Sequence, residues 1–128
     1  MSELSFRINY TYDETFGQNS ASTTVQGKQP LLLRPKNKGN FDVDYRFLPE
    51  ATVRLNILAY GSRSSYDTLG GITQVPGYVL VNLSTNYELN QNVTLFARLD
   101  NLLNKQYQMI WGYGALGFNG LGGFTVKF

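Results

Sequence analysis

Leu4-Ser5-Phe6-Arg7-Ile8-Asn9-Tyr10-Thr11-Tyr12-Asp13 decides the fold. Every even position is large and apolar or aromatic, and every odd position is polar or charged. Successive side chains of a strand point to opposite faces, so this run reads as a strand with one apolar and one polar face. The same alternation returns five times. Phe41, Val43, Tyr45 and Phe47 alternate with Asp42, Asp44 and Arg46, and Val53, Leu55, Ile57 and Ala59 with Arg54, Asn56, Leu58 and Tyr60. Val79, Val81, Leu83, Thr85, Tyr87 and Leu89 form a fourth apolar row, and Val93, Leu95, Ala97 and Leu99 a fifth. The last runs from Phe118 to Phe128, with Phe124, Val126 and Phe128 on its apolar side. No window carries a comparable helical period.

The strands are long. Val79 to Leu89, at ~3.3 Å per residue and tilted about 45°, covers ~25 Å of height, which matches the apolar band of an outer-membrane barrel. The connections sort by length. Glu14–Gly39, Gly61–Gly77 and Asn104–Gly117 are long, whereas the links centred on Pro49-Glu50-Ala51 and Asn90-Gln91-Asn92 are short. Short turns on one side and long loops on the other are the habit of outer-membrane barrels. This orientation puts the C-terminus on the short-turn, periplasmic side.

Composition agrees with an all-β reading. Among 128 residues, charged side chains make up only 16%, while 9 Tyr and 8 Phe supply the strand-favouring aromatics. Cys and His are absent, which excludes disulfides, thiolate or imidazole metal sites and His-based acid–base catalysis. No nucleophile elbow or carboxylate pair in a cleft is visible, so the chain does not read as an enzyme and calls for no cofactor. The net charge of +2 is scattered, which speaks against nucleic acid as a partner. The longest apolar runs, Ile57–Tyr60 and Tyr78–Val81, fall far short of the ~20 residues of a transmembrane helix. Residues 1–7 lack the basic and apolar regions of a signal peptide.

Alternation alone does not say which face is wet. The polar face holds Arg7, Asp13, Asp42, Asp44, Arg46, Arg54, Glu88, Arg98, Asp100 and Lys127. Tyr10, Tyr12, Tyr45, Phe47 and Tyr87 stand on the apolar face towards strand ends, where a membrane barrel places its aromatic girdles. Pairing the second and third strands through their short link sets Phe47 opposite Val53, Arg46 opposite Arg54 and Asp44 opposite Asn56, a wall of mixed charge. Six strands do not close such a barrel, for which about eight is the small end. Thr23–Gln26 and Tyr107–Tyr113 are the places where two more strands could lie. Three readings stay open: a segment of a large barrel, a self-closing eight-stranded membrane barrel of adhesin or structural type, and a soluble lipocalin-like barrel.

Residues 98–113 narrow these. They read Arg-Leu-Asp-Asn-Leu-Leu-Asn-Lys-Gln-Tyr-Gln-Met-Ile-Trp-Gly-Tyr. Asn101, Leu102, Lys105, Tyr107, Gly112 and Tyr113, with a terminal Phe128, resemble the closing signature of TonB-dependent outer-membrane receptors. Upstream, Leu33-Arg34-Pro35-Lys36-Asn37-Lys38 and Gly77-Tyr78 are similar to the family's approaches to barrel strands. Two departures stand out. Gly117 is followed by Phe118 where the family often has Gly-Arg, and Gly120, Gly122 and Gly123 dilute the terminal strand.

The resemblance implies a roughly 22-stranded barrel with an N-terminal plug. It also implies a location in the bacterial outer membrane, and import of scarce nutrients such as siderophores, cobalamin or oligosaccharides driven through TonB. On that reading residues 1–128 are a single C-terminal barrel segment without the plug, not transport-competent alone. The implied partners are outer-membrane lipid, the remaining strands and plug, and the barrel-assembly machinery, which reads the C-terminal strand. TonB would be reached only through the missing N-terminal part. Arg34, Arg63, Tyr66, Asp67 and Trp111 are the loop residues of suitable chemistry to touch a ligand. Tyr66, Tyr107, Trp111 and Tyr113 could stack on a ligand, but an interfacial aromatic belt is the favoured reading of these four. Asn101 suits a turn where its strand ends, and Gly112 and Gly114 suit positive φ.

Overall fold

The computed structural model describes residues 2–14, 16–17, 29–30 and 33–128. Among these, all regular structure is β: β1 (Glu3–Tyr12), β2 (Phe16–Gly17), β3 (Gln29–Pro30), β4 (Asn37–Leu48), β5 (Ala51–Tyr60), β6 (Arg63–Tyr66), β7 (Ile72–Val75), β8 (Tyr78–Glu88), β9 (Val93–Asp100), β10 (Gln108–Ile110), β11 (Tyr113–Gly114) and β12 (Asn119–Val126). The long strands make one six-stranded sheet in the order β1-β4-β5-β8-β9-β12, each pair antiparallel. Among the described residues this is an up-and-down meander, open at both edges. The short strands form separate hairpins, β2–β3, β6–β7 and β10–β11, one inside each long connection.

The candidate strand at Tyr107–Tyr113 is therefore corrected. Its residues fold into the β10–β11 hairpin and do not join the sheet. Gly112 there has φ +82, which turns the hairpin, whereas Gly114 does not adopt positive φ. The other candidate, Thr23–Gln26, lies outside the described residues.

Register carries the period-two pattern across the whole sheet. On one face Phe6, Val43, Leu55, Leu83, Leu99 and Gly120 stand in one row. On the other, Ser5, Asp44, Arg54, Ser84, Arg98 and Leu121 do so. The β4–β5 register differs from the sequence expectation by two residues. Asp44 pairs with Arg54, Asp42 with Asn56 and Arg46 with Thr52, so the Arg–Arg contact does not exist. The cause is local. Leu48 pairs with Ala51, which leaves a two-residue turn of Pro49 and Glu50, and Phe47 is taken up in a bulge between Arg46 and Leu48. An even shift keeps every side chain on its face. At the other tight end, Asn90 Oδ1 accepts the backbone N–H groups of Asn92 (2.9 Å) and Val93 (3.0 Å), an Asx turn.

Among the described residues, no second layer covers the apolar face. Phe6 is 63% exposed and Ile8 75%, and the buried apolar residues among those described are only Ala51, Val75 and Tyr78, none in the middle of the sheet. Folded soluble domains bury such a face against another layer, and the described residues supply none. The glycines of β12 do not interrupt its pairing, which runs unbroken from Asn119 to Val126. A Cβ on Gly123 would lie 2.7 Å from the Phe96 ring, and one on Gly120 would lie 2.8 Å from Leu99. Large side chains of β9 thus occupy the space that the glycines leave, an arrangement that supports glycine-bearing strands.

Candidate functional site

The polar face is a connected wall. Asp44 and Arg54, opposite one another, form an ion pair, and Arg98 pairs with Asp100 on its own strand at 2.8 Å. Beside them runs a row of amides. Asn56 Nδ2 donates to Asp42 Oδ1 (2.6 Å) and to Asn40 Oδ1 (2.7 Å). Asn40 Nδ2 also donates to Asp42 (2.8 Å), and Asn82 Nδ2 donates to Asn56 Oδ1 (3.1 Å). These bonds cross β4, β5 and β8. The exposed ion pairs add little stability individually, but the network fixes side-chain directions along the wall.

Asn82 also reaches the end of β9, where its Oδ1 accepts the Asn101 N–H at 2.9 Å. Asn101 is 3% exposed, has φ +53 and forms a hub. Its Oδ1 accepts the Lys105 N–H (2.8 Å), while its Nδ2 donates to the carbonyls of Lys105 (2.9 Å) and Leu116 (3.3 Å). The Asn104 N–H donates to the Asn101 carbonyl (2.8 Å). Asn104, with φ +49, accepts the Phe118 N–H at 2.9 Å on Oδ1. Leu102 N–H donates to the Val81 carbonyl (2.7 Å). The Asn101-to-Lys105 segment therefore ties the exit of β9 to β8 and to the start of β12.

The long connections join each other at the same end of the sheet. Leu33 N–H donates to the Ser64 carbonyl (2.7 Å), Arg63 Nη2 to the Gln108 carbonyl (2.9 Å) and Trp111 N–H to Ser65 Oγ (3.3 Å). Tyr78 projects from the polar face, stacks on Tyr60 at 5.1 Å and on Tyr107 at 4.4 Å, and carries the Arg63 guanidinium 5.1 Å from its ring centroid. The loops thus fold over the polar face, which makes it the inner one. A cleft of about 450 Å³ opens here, walled by Tyr78, Lys105, Gln106, Tyr107, Gln108 and Trp111. At Gly77, on its rim, a Cβ would lie 2.5 Å from the Tyr60 carbonyl oxygen, so only glycine fits. Burial, with Tyr78, Tyr60 and Asp100 nearby, pushes the Tyr107 phenol above its ordinary range. It stays a neutral hydrogen-bond donor throughout the physiological range.

The loop residues singled out from sequence take different places. Trp111 lines the cleft and is 41% exposed. Arg63 is 7% exposed beneath it, with its Nε unpartnered among the described residues. Asp67 Oδ1 accepts the N–H groups of Leu69 (2.9 Å) and Gly71 (2.7 Å) and so shapes the β6–β7 turn. Tyr66 and Arg34 are exposed. Of the motif residues, Lys105 and Tyr107 wall the cleft. Tyr113 is exposed in β11, and Phe128 lies exposed beyond β12. Sequence reasoning missed Asn82, Asn104 and the β6–β7 hairpin. It quoted Tyr78 but assigned it no role.

An open antiparallel meander with an uncovered apolar face, a polar inner wall and long loops gathered over one rim defines a wall segment of a membrane β-barrel. The chain belongs to the TonB-dependent receptor family: residues 2–102 match the family described as TonB dependent receptor-like, beta-barrel. These are outer-membrane transport receptors, not enzymes. Solved structures agree in fold. The ferric-catecholate import receptor Fiu from Escherichia coli K12, in its closed form, superposes with TM-score 0.78 at 18% identity over 98% of this chain and 19% of that one. The siderophore receptor PiuA from Acinetobacter baumannii gives 0.76 at 23% identity, over 98% and 20%. The ferric enterobactin receptor PfeA, solved in complex with BCV-L6, gives 0.72 at 20% identity, over 98% and 20%. The chain spans about a fifth of the length of these receptors.

Proposed function

We propose that this chain forms part of the barrel wall and one side of the loop-side ligand cleft of an outer-membrane receptor for the uptake of a siderophore-class iron chelate. The apolar row from Phe6 to Leu99 faces lipid, the Asp42–Asn56–Asn82 wall faces the lumen, and the long connections are extracellular. Six strands do not enclose a lumen. Uptake therefore needs the further strands and plug of a complete receptor, with TonB acting through the latter. Insertion uses the barrel-assembly machinery at β12.

The carrying observation is the cleft. Its aromatic walls, Tyr78, Tyr107 and Trp111, share the cleft lining with the basic residue Lys105. Flat aromatic surfaces next to a cation suit a planar, anionic aryl chelate. The siderophore class is favoured over cobalamin or oligosaccharide by that pairing and by the receptors that share the fold.

The single Trp of the chain is a site-specific reporter. Gallium(III) tris-catecholate, a colourless stand-in for the ferric complex, is expected to change Trp111 emission saturably in the detergent-folded chain. Lys105→Ala and Tyr107→Ala are each expected to weaken binding by about tenfold, the factor for one charge-assisted or stacking contact of ~1.4 kcal/mol. A linear, unsaturable response unaffected by either substitution would remove the cleft as a ligand site.

A further inference from the structure

We propose that Asn82 is a positioning residue for the cleft, acting through Asn101. This rests on the cleft being the ligand site. The geometry runs without a gap. Asn82 stands on the lumen wall, in register with Asn56. Its Oδ1 accepts the Asn101 N–H, and Asn101 in turn holds Lys105 by both its N–H and its carbonyl. Lys105, Gln106 and Tyr107 then form one wall of the cleft, and Tyr107 accepts the Ala115 N–H on its carbonyl at 3.0 Å.

Two features mark this as more than a sheet contact. Asn101 is nearly fully buried and holds a left-handed backbone, a conformation that asparagine adopts more readily than most side chains and that surrounding bonds must maintain. Asn82 also divides its amide. The oxygen serves the hub, while the nitrogen serves Asn56 on the wall. Whatever fills the lumen and touches the Asn56–Asn82 row is thereby one side chain away from the segment that sets the cleft's width.

The divided amide supplies the test. Asn82→Leu removes both bonds, and Asn82→Ser is too short to reach Asn101. Asn82→Asp keeps the acceptor for the Asn101 N–H and loses only the donor to Asn56. Asn56→Leu breaks the wall row and leaves the hub intact. Acrylamide quenching of Trp111 is measured without ligand, and gallium(III) tris-catecholate affinity is measured beside it.

Asn82→Leu and Asn82→Ser should raise the quenching constant and weaken binding about fivefold, the factor one net hydrogen bond carries. Asn82→Asp should restore both, and Asn56→Leu should leave Trp111 unmoved. Unchanged quenching in Asn82→Leu and Asn82→Ser would overturn the proposal. So would an equal change in Asn56→Leu, because Asn82 would then act only through sheet stability. If quenching follows the expected pattern while no variant binds the chelate, the positioning of the cleft wall stands and the ligand reading fails.

Discussion

Arginine at Ile57 is expected to cost about 2–4 kcal/mol of folding free energy into phospholipid bilayers, the range for a cation on the lipid face near the midplane. Arginine at Asn56, one residue away, is expected to cost far less. The two positions share a depth and differ only in face. Ile57 stands between Phe41 and Val81, and Asn56 between Asp42 and Asn82. A guanidinium at Asn56 meets the Asp42 carboxylate, which offsets the amide bonds that are lost. A guanidinium at Ile57 meets aliphatic neighbours and hydrocarbon. The comparison is made by titrating denaturant against bilayer-folded protein for both variants. Equal costs would mean that the two faces have the same solvent, contrary to the wall proposed above.

The second large effect concerns Asn101. Asn101→Ala is expected to destabilise the fold by about 3 kcal/mol. It leaves the Lys105 N–H and the Lys105 and Leu116 carbonyls without their buried partner, at about 1–3 kcal/mol for such unsatisfied groups. It also places a Cβ without a polar tip at φ +53, which costs ~1 kcal/mol. Asn101→Gly loses the same bonds but not the backbone preference, so it should recover about 1 kcal/mol relative to alanine. Thermal unfolding of the two variants in one detergent gives the difference. Alanine and glycine variants of equal stability would show that the left-handed backbone contributes nothing, and two wild-type-like variants would show that the hub does not hold the loop.

The strands were legible because their signal is local. Each alternation names its own two faces, so strand order and facing could be read from neighbours along the chain. The β4–β5 register was not, because it depends on whether Phe47 is paired or bulged, and Pro49-Glu50 settles that through turn geometry. Asn101 could be read as a turn residue from its place at the end of an alternating run. Its partner could not, because Asn82 looks like any polar-face asparagine until β8 and β9 are laid side by side. The β6–β7 hairpin escaped notice because Arg63-Ser64-Ser65-Tyr66 is short and carries little apolar period.

The cleft lay furthest from view. Its walls come from the start of β8 and from the β9–β12 connection, and Arg63 supports it from the connection between β5 and β8. No window of sequence contains those together. Trp111 was visible as an exposed aromatic, but its neighbours Tyr78 and Tyr107 gain meaning only from a stack that spans about thirty positions of chain.

Which face meets hydrocarbon is tested most directly by spin-label accessibility along β5 in lipid bilayers. Single nitroxides from Val53 to Tyr60 are predicted to show oxygen accessibility with period two, high at Val53, Leu55, Ile57 and Ala59 and low at Arg54, Asn56, Leu58 and Tyr60, with a water-soluble nickel chelate in the opposite phase. The reverse phase, or no alternation at all, would contradict the account.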